Sequence, residues 1–163
     1  MYTEPLEETQ QDLFTESDLN EYEPASNGQR FLNYLIDILF VRYALSYVFG
    51  YAIGYLLVAI SGDFYIDIVS DTNSVSFWIF TYFLGAIIFI VYYTSCEKFF
   101  KGYSLGKIIT GTKAVREDGR ELSFKDALLR SLSRIVPFEP LSIWFDNGLW
   151  HDRWTKTVVI KAR

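Results

Sequence analysis

The chain holds one cysteine, one histidine and four prolines in 163 residues, and each scarcity removes a class of chemistry. A lone Cys96 has no partner for an internal disulfide; at the end of an apolar run it reads as a small packing residue. A lone His151 leaves no ligand set for zinc, and no cofactor is expected. The run Ser104-Leu105-Gly106-Lys107 lacks the spacing of a phosphate-binding loop. His151 beside Asp152, with Glu139 as an alternative orienting group, has no nucleophile or second carboxylate placed to work with it. An enzyme is therefore not expected.

Charge of one sign is missing from whole segments. Residues 1–29 contain eight acids and no Lys or Arg, residues 61–74 contain Asp63, Asp67 and Asp71 and no base, and residues 75–96 carry no charge at all. Residues 97–163 reverse the balance with thirteen bases against eight acids, so the net charge of -5 conceals two opposite segments. The acidic segment 1–29 reads as a solvated tail without structure, and with no basic and apolar leader before Arg30 the first membrane helix is expected to direct insertion.

What is present in abundance is apolar sequence in blocks. Residues 31–60 are interrupted by Asn33, Asp37, Arg42 and Ser46, and residues 75–96 form a second run. Both exceed the roughly 20 residues a helix needs to cross about 30 Å of hydrocarbon. Two such helices buried on every face need more covering chain than remains, which disfavours a soluble protein.

The base-free connector 61–74 is expected to face outward and the Lys/Arg-rich remainder inward, giving a multi-pass cell-membrane protein with both termini cytoplasmic. A helix over 31–60 is about 45 Å long, so part of it protrudes. Counting back from Ser61 sets the spans at about 41–60 and 75–96; Arg42 then snorkels to the headgroups, and Arg30 and Asp37 lie at the interface. Those two share one helical face but stand about 10.5 Å apart along the axis. Each needs a partner from elsewhere, with the basic C-terminal region as the expected source. Gly50 and Gly54 form a GxxxG, and Gly85 with Ala86 gives the second helix a small surface for close contact.

In the remainder, 108–115 reads as a strand, Asp118-Gly119 as a turn, and 121–124 and 157–162 as further extended segments. Pairing of the first and last would bring His151, Asp152 and Arg153 beside the first helix. Ser123 reads as the N-cap of a helix over 124–135 with Asp126 near its start, Arg130 and Arg134 on one face, and Leu128, Leu129 and Leu132 as an apolar stripe lying along the interface. Residues 135–150, with Pro137, Glu139, Pro140 and Asp146, are too short and too polar to span and read as interfacial or re-entrant. The expected fold is an all-α membrane protein: two transmembrane helices, this third segment, a cytoplasmic amphipathic helix and a small β ladder, with 1–29 as tail and 30–163 as membrane domain whose cytoplasmic cap is 97–163.

Several motifs stand in a specific order: Gly28-Gln29-Arg30-Phe31 followed by Asp37; Ser104 to Lys107 with Gly111 and Lys113; Asp118-Gly119 followed by Leu122-Ser123-Phe124; Arg130 and Arg134; and His151-Asp152-Arg153 with Thr157. In these the chain resembles the RDD family of integral membrane proteins over residues 28–160. The resemblance implies that the family's Arg is Arg30 and its two Asp are Asp37 and Asp152, with Gly106, Gly111 and Gly119 as motif glycines. It implies a membrane fold more than an activity, since family members are mostly described as transport proteins of unknown substrate, with sodium/proton antiport for some. The chain differs from the commoner pattern in lacking a full third membrane helix before the His-Asp run.

Two functions remain in view. In one, Arg30, Asp37, Arg130, Arg134, His151, Asp152 and Arg153 form a charge network that clamps the cytoplasmic cap to the first helix, and the protein is a structural, assembly or lipid-binding component. Its partner is then the bilayer, through anionic headgroups at the basic C-terminal segment, and nucleic acid is not expected. In the other, Asp37 and Asp152 exchange a proton or cation, which with two spans requires a homo-oligomer, or a re-entrant third segment, to enclose a path.

Overall fold

The computed structural model describes residues 23–142 and 149–162. Ser26 opens the first helix: its side chain accepts from the Gln29 backbone and Gln29 answers at the Ser26 N–H, a reciprocal cap that starts α1 at Asn27–Leu39. The chain then passes through a π-helical turn at Phe40–Leu45 into α2, Ser46–Ser70. At Ser61 the backbone leaves helical geometry (φ -150°, ψ 61°), and the last nine residues fold back until Tyr65 meets Gly54, where an added Cβ would lie 2.9 Å from the phenol oxygen.

That returning piece makes most of the 61–74 connector helical. Asp63 and Asp67 are one helical turn apart and form the polar stripe of a short helix, while Tyr65 packs edge-on against Phe80. Of the two glycines in the GxxxG, Gly54 makes a close contact and Gly50 faces open space.

Helix α3, Val75–Phe99, begins at the Ser74 cap and runs back along the first. Val41 of the π-helical turn packs on Ile88, Tyr92 and Tyr93, with Phe40, Leu45, Leu84 and Phe89 around them. Outside this seam the helices are bare: their most apolar windows are only 6% and 11% buried, which a soluble core helix would not tolerate. Both are long and apolar enough to cross a membrane. With a two-stranded antiparallel ladder as the described sheet, this is the all-α membrane architecture expected.

Beyond α3 the chain builds a cap. Ser104 caps α4, Leu105–Thr110, which ends at Gly111 in the left-handed region (φ 69°). Strand β1, Thr112–Arg116, follows, then the Asp118-Gly119 turn and α5, Phe124–Ser133, opened by a reciprocal Ser123/Asp126 cap. A 3-10 turn at Glu139–Leu141 and a short helix α6, Trp150–Thr155, lead to β2, Thr157–Lys161. The strands pair antiparallel from Thr112 with Lys161 to Arg116 with Thr157, as the fold-back required.

Four differences from the sequence reading stand out. Residues 108–110 are helical, not extended: the β-branched run suggested a strand, but a Ser cap and a closing glycine bracket a helix. Residues 121–123 form no strand, and the turn leads directly to the Ser123 cap. Residues 23–26 are not tail, since Ala25 and Glu23 bond to β2 and Pro24 bridges to Ile160; the rest of the acidic segment lies outside the described residues, as do 143–148 of the third apolar run. Helix α5 turns its arginines and serines inward, leaving Leu129 and Leu132 exposed on the apolar stripe meant for the interface.

Candidate functional site

Where the cap meets the membrane helices, the protein buries charge. Glu97, in the last turn of α3, is fully buried and receives three cations: Lys107 Nζ and Arg134 Nη2 each at 2.7 Å on Oε1, and Arg130 Nε at 2.9 Å on Oε2. The Arg130 guanidinium, also fully buried, continues to Asp152 Oδ1 at 2.6 Å and to the Thr157 hydroxyl. Asp152 turns its other oxygen to Arg30 Nη1 at 2.9 Å. Arg30 in turn donates to the carbonyls of Ala25 and Val159, each at 3.2 Å. The run Arg30–Asp152–Arg130–Glu97 alternates in sign and ties α1, α6, α5 and α3 together; Lys107 adds α4. A removed partner here would leave its neighbour charged and dry.

The His151 ring extends the cluster toward the 3-10 turn. Its Nδ1 lies 2.5 Å from Glu139 Oε1, and its Nε2 lies 3.2 Å from Arg134 Nη2 and 3.3 Å from Asp152 Oδ1. Burial, reinforced by the cations of Arg134, Arg130, Lys107 and Arg30, holds the imidazole well below its ordinary value, so the ring is neutral. A proton on Nδ1 then donates to Glu139 and leaves Nε2 to accept from Arg134. Burial also pushes the Glu139 carboxyl above the usual range, against the pull of Arg134. Lys107 is drawn down to about 8 by burial, while Glu97 opposes the shift. Arg134 is stacked over the Tyr93 ring, 4.2 Å from its centroid.

Asp37 forms a separate centre. Its side chain accepts from Tyr92 Oη and Gly106 N on Oδ1, each at 2.8 Å, and from Ser104 Oγ at 2.6 Å on Oδ2. The expectation of a basic partner for Asp37 is thus corrected: two hydroxyls and an amide satisfy it, because α4 lies backbone-close against α1. A Cβ on Gly106 would stand 2.3 Å from the Asn33 carbonyl oxygen, so only glycine permits the approach that delivers the amide. Asn33 completes the contact by donating to Thr112 at 2.9 Å and accepting from Thr110.

Of the residues singled out from sequence, Arg30, Arg130, Arg134, His151 and Asp152 come together; Asp37 sits beside them with its own partners; Arg153 is exposed. Gly111 closes α4, and Gly119 makes the turn before α5 with φ 76°. Sequence reading missed Glu97 as the hub. Its signal was a lone acid ending an uncharged helix among nearby lysines.

A family model described as the RDD family matches residues 24–159, from the Pro24 bridge to β2. The chain belongs to the RDD family. No curated protein and no solved structure matches it. With two apolar helices exposed along their lengths, this RDD family chain is a membrane protein. The Arg and one Asp that the resemblance assigned, Arg30 and Asp152, are bonded to each other, and the other, Asp37, lies on the same helix as Arg30.

Proposed function

We propose that this RDD family protein is a two-span cell-membrane component with both termini cytoplasmic, whose buried charge cluster locks a cytoplasmic cap onto the membrane helices for an assembly or lipid-binding role rather than transport or catalysis. The observation that carries this reading is the closure of the cluster: Glu97 meets three cations, Asp152 two, and Asp37 three hydrogen-bond donors. Carboxylates so engaged are costly to uncouple and poor at exchanging ions. The exposed Leu129 and Leu132 on α5 and exposed Phe99 and Phe100 at the end of α3 fit a cap that rests on headgroups. Asp37→Asn and Asp152→Asn in proteoliposomes test it. Under this reading proton or cation flux is absent or unchanged while the variants lose stability; flux that both substitutions abolish without loss of stability overturns it.

One observation favours the alternative of proton or cation exchange by an oligomer. A cavity of about 30 Å³, room for a water or so, is lined by Asp37, Lys107, Glu139 and His151 and joins the two charged centres. As a step in a path it would need a neighbouring copy to supply the rest.

A further inference from the structure

Two arginines near the membrane face of the cap keep hydrogen-bonding capacity that the cluster does not use. Arg134 is buried, engages Glu97 and His151 through Nη2, and has no partner for its buried Nη1 among the described residues. Arg42, in the π-helical turn, is exposed and has no ion-pair or hydrogen-bond partner among the described residues. Both line one groove of about 440 Å³ between the first helix and α3. An exposed guanidinium without an acceptor, with the positive charge of a second one behind it, is a place for an anion.

Beyond the arginines the groove is mostly apolar, with the hydroxyls of Tyr34, Ser46, Thr81 and Tyr82 along it. It follows α3 from Phe89 past Ala86 and Gly85 to Trp78, about 16 Å of helix, close to one leaflet of hydrocarbon. A Cβ on Gly85 would meet nothing within 4 Å. In a packed helix pair a central glycine normally lets the partner backbone approach; here the space is open, a channel for a chain from outside the protein. The π-helical turn, a feature found often at functional sites, contributes both Val41 to the seam and Arg42 to the groove mouth.

We infer that this groove holds one anionic phospholipid of the cytoplasmic leaflet, its phosphate on the exposed Arg42 beside the buried Arg134 guanidinium and one acyl chain lying along Gly85 and Ala86. The inference rests on the two-span reading with a cytoplasmic cap. It names the lipid class and the site within that reading. A second copy of this chain would bring no charge complementary to two arginines from its uncharged α3 face, whereas a phosphodiester does so directly.

The full chain purified in neutral detergent is titrated with phosphatidylglycerol, phosphatidylcholine or inorganic phosphate, with bound lipid read by native mass spectrometry and stability by thermal melting. Phosphatidylglycerol should bind about tenfold more tightly than phosphatidylcholine and raise the melting temperature; inorganic phosphate should do neither. Arg42→Gln should erase the preference and Arg42→Lys restore part of it, with lipid-free melting unchanged because Arg42 has no protein partner among the described residues. Gly85→Leu, which fills the groove without touching the cluster, should remove binding of both lipids. Equal binding of the two lipids, a phosphate effect matching that of phosphatidylglycerol, or retention of preference in Arg42→Gln overturns the site. Resistance of the membrane-bound protein to carbonate extraction is scored separately. Its loss removes the two-span reading, while its presence with no lipid preference removes only the groove.

Discussion

Arg30 and Asp152, 122 positions apart in the chain, meet in a 2.9 Å ion pair with both side chains at least nine-tenths buried. The pair joins the first turn of the first helix to the last helix of the cap, and Arg130 shares the same carboxylate from α5. Asp152 therefore balances two guanidinium groups at once.

Replacing Asp152 by Asn should strand Arg30 and leave Arg130 with Glu97 alone. Leaving a buried charge uncompensated costs about 3–5 kcal/mol, so Asp152→Asn should melt well below the native protein in mild detergent. Arg30→Gln should be milder, because Arg130 still neutralises Asp152. The ordering, read as melting temperatures of the two variants side by side, tests whether the carboxylate or the guanidinium is the pivot.

Asp37→Asn should cost less than Asp152→Asn, about 1–3 kcal/mol, since among the described residues no cation pairs directly with Asp37 and its partners are two hydroxyls and one amide. The Ser104 and Tyr92 hydroxyls can reorient to accept from an amide nitrogen; the Gly106 N–H cannot. Equal destabilisation of the two variants would contradict this division of the site.

Gly106→Ala tests the approach of α4 to α1. The new Cβ would sit 2.3 Å from the Asn33 backbone oxygen, so α4 must move away and take its amide from Asp37. Overpacking of this kind costs about 1–3 kcal/mol, and the loss should be much reduced when combined with Asp37→Asn, where that hydrogen bond is already weakened. A melting series of the two single variants and the double variant measures the coupling.

How far this was readable in advance differs by level. The two long apolar helices, the fold-back of the last strand and the Ser123 cap follow from hydropathy, alternation and capping chemistry, all local signals. Glu97 as hub and the inward face of α5 are not local: Arg130 and Arg134 one turn apart look like a solvated or interfacial stripe until a buried acid from another helix claims them. The helical state of 108–110 and of the segment after Ser61 was hidden by composition, β-branched residues in one and aspartates in the other, overruled by Gly106 against Asn33 and Tyr65 against Gly54.

As the only histidine, His151 can be titrated without ambiguity. Its folded value is depressed, so the unfolded chain takes up the proton first, near pH 6.5. The sign follows: stability is full above about 6.5 and falls as pH drops below it, by at most about 1.4 kcal/mol per unit. Glu139, raised by burial, contributes in the opposite sense, its share being lost as pH rises. The His151 share is isolated by comparing the native protein with His151→Gln, whose melting should depend less on pH between about 5 and 6.5. Nitrogen NMR of the imidazole should show a neutral ring throughout that window. A ring that charges near pH 6.5 in the folded protein would show that Glu139 and Asp152 outweigh the four cations around it.

Topology is the remaining link between the geometry and its role at a membrane. Asn73, in the exposed turn between the helices, and Lys125, exposed at the start of α5, lie at positions expected on opposite sides. In a Cys96→Ser background each becomes a single reporter cysteine, and neither side chain takes part in the buried cluster. A membrane-impermeant thiol reagent applied to intact cells should label Asn73→Cys and spare Lys125→Cys until the membrane is opened. The Asp63, Asp67 and Asp71 segment should then lie outside, and the cap with its charge cluster inside, against the anionic leaflet that the groove at Arg42 requires. Labelling of both from outside would place the cap away from the cytoplasm and remove the source of that lipid. Labelling of neither, with both reactive after lysis, would mean that the helices enter the bilayer without crossing it.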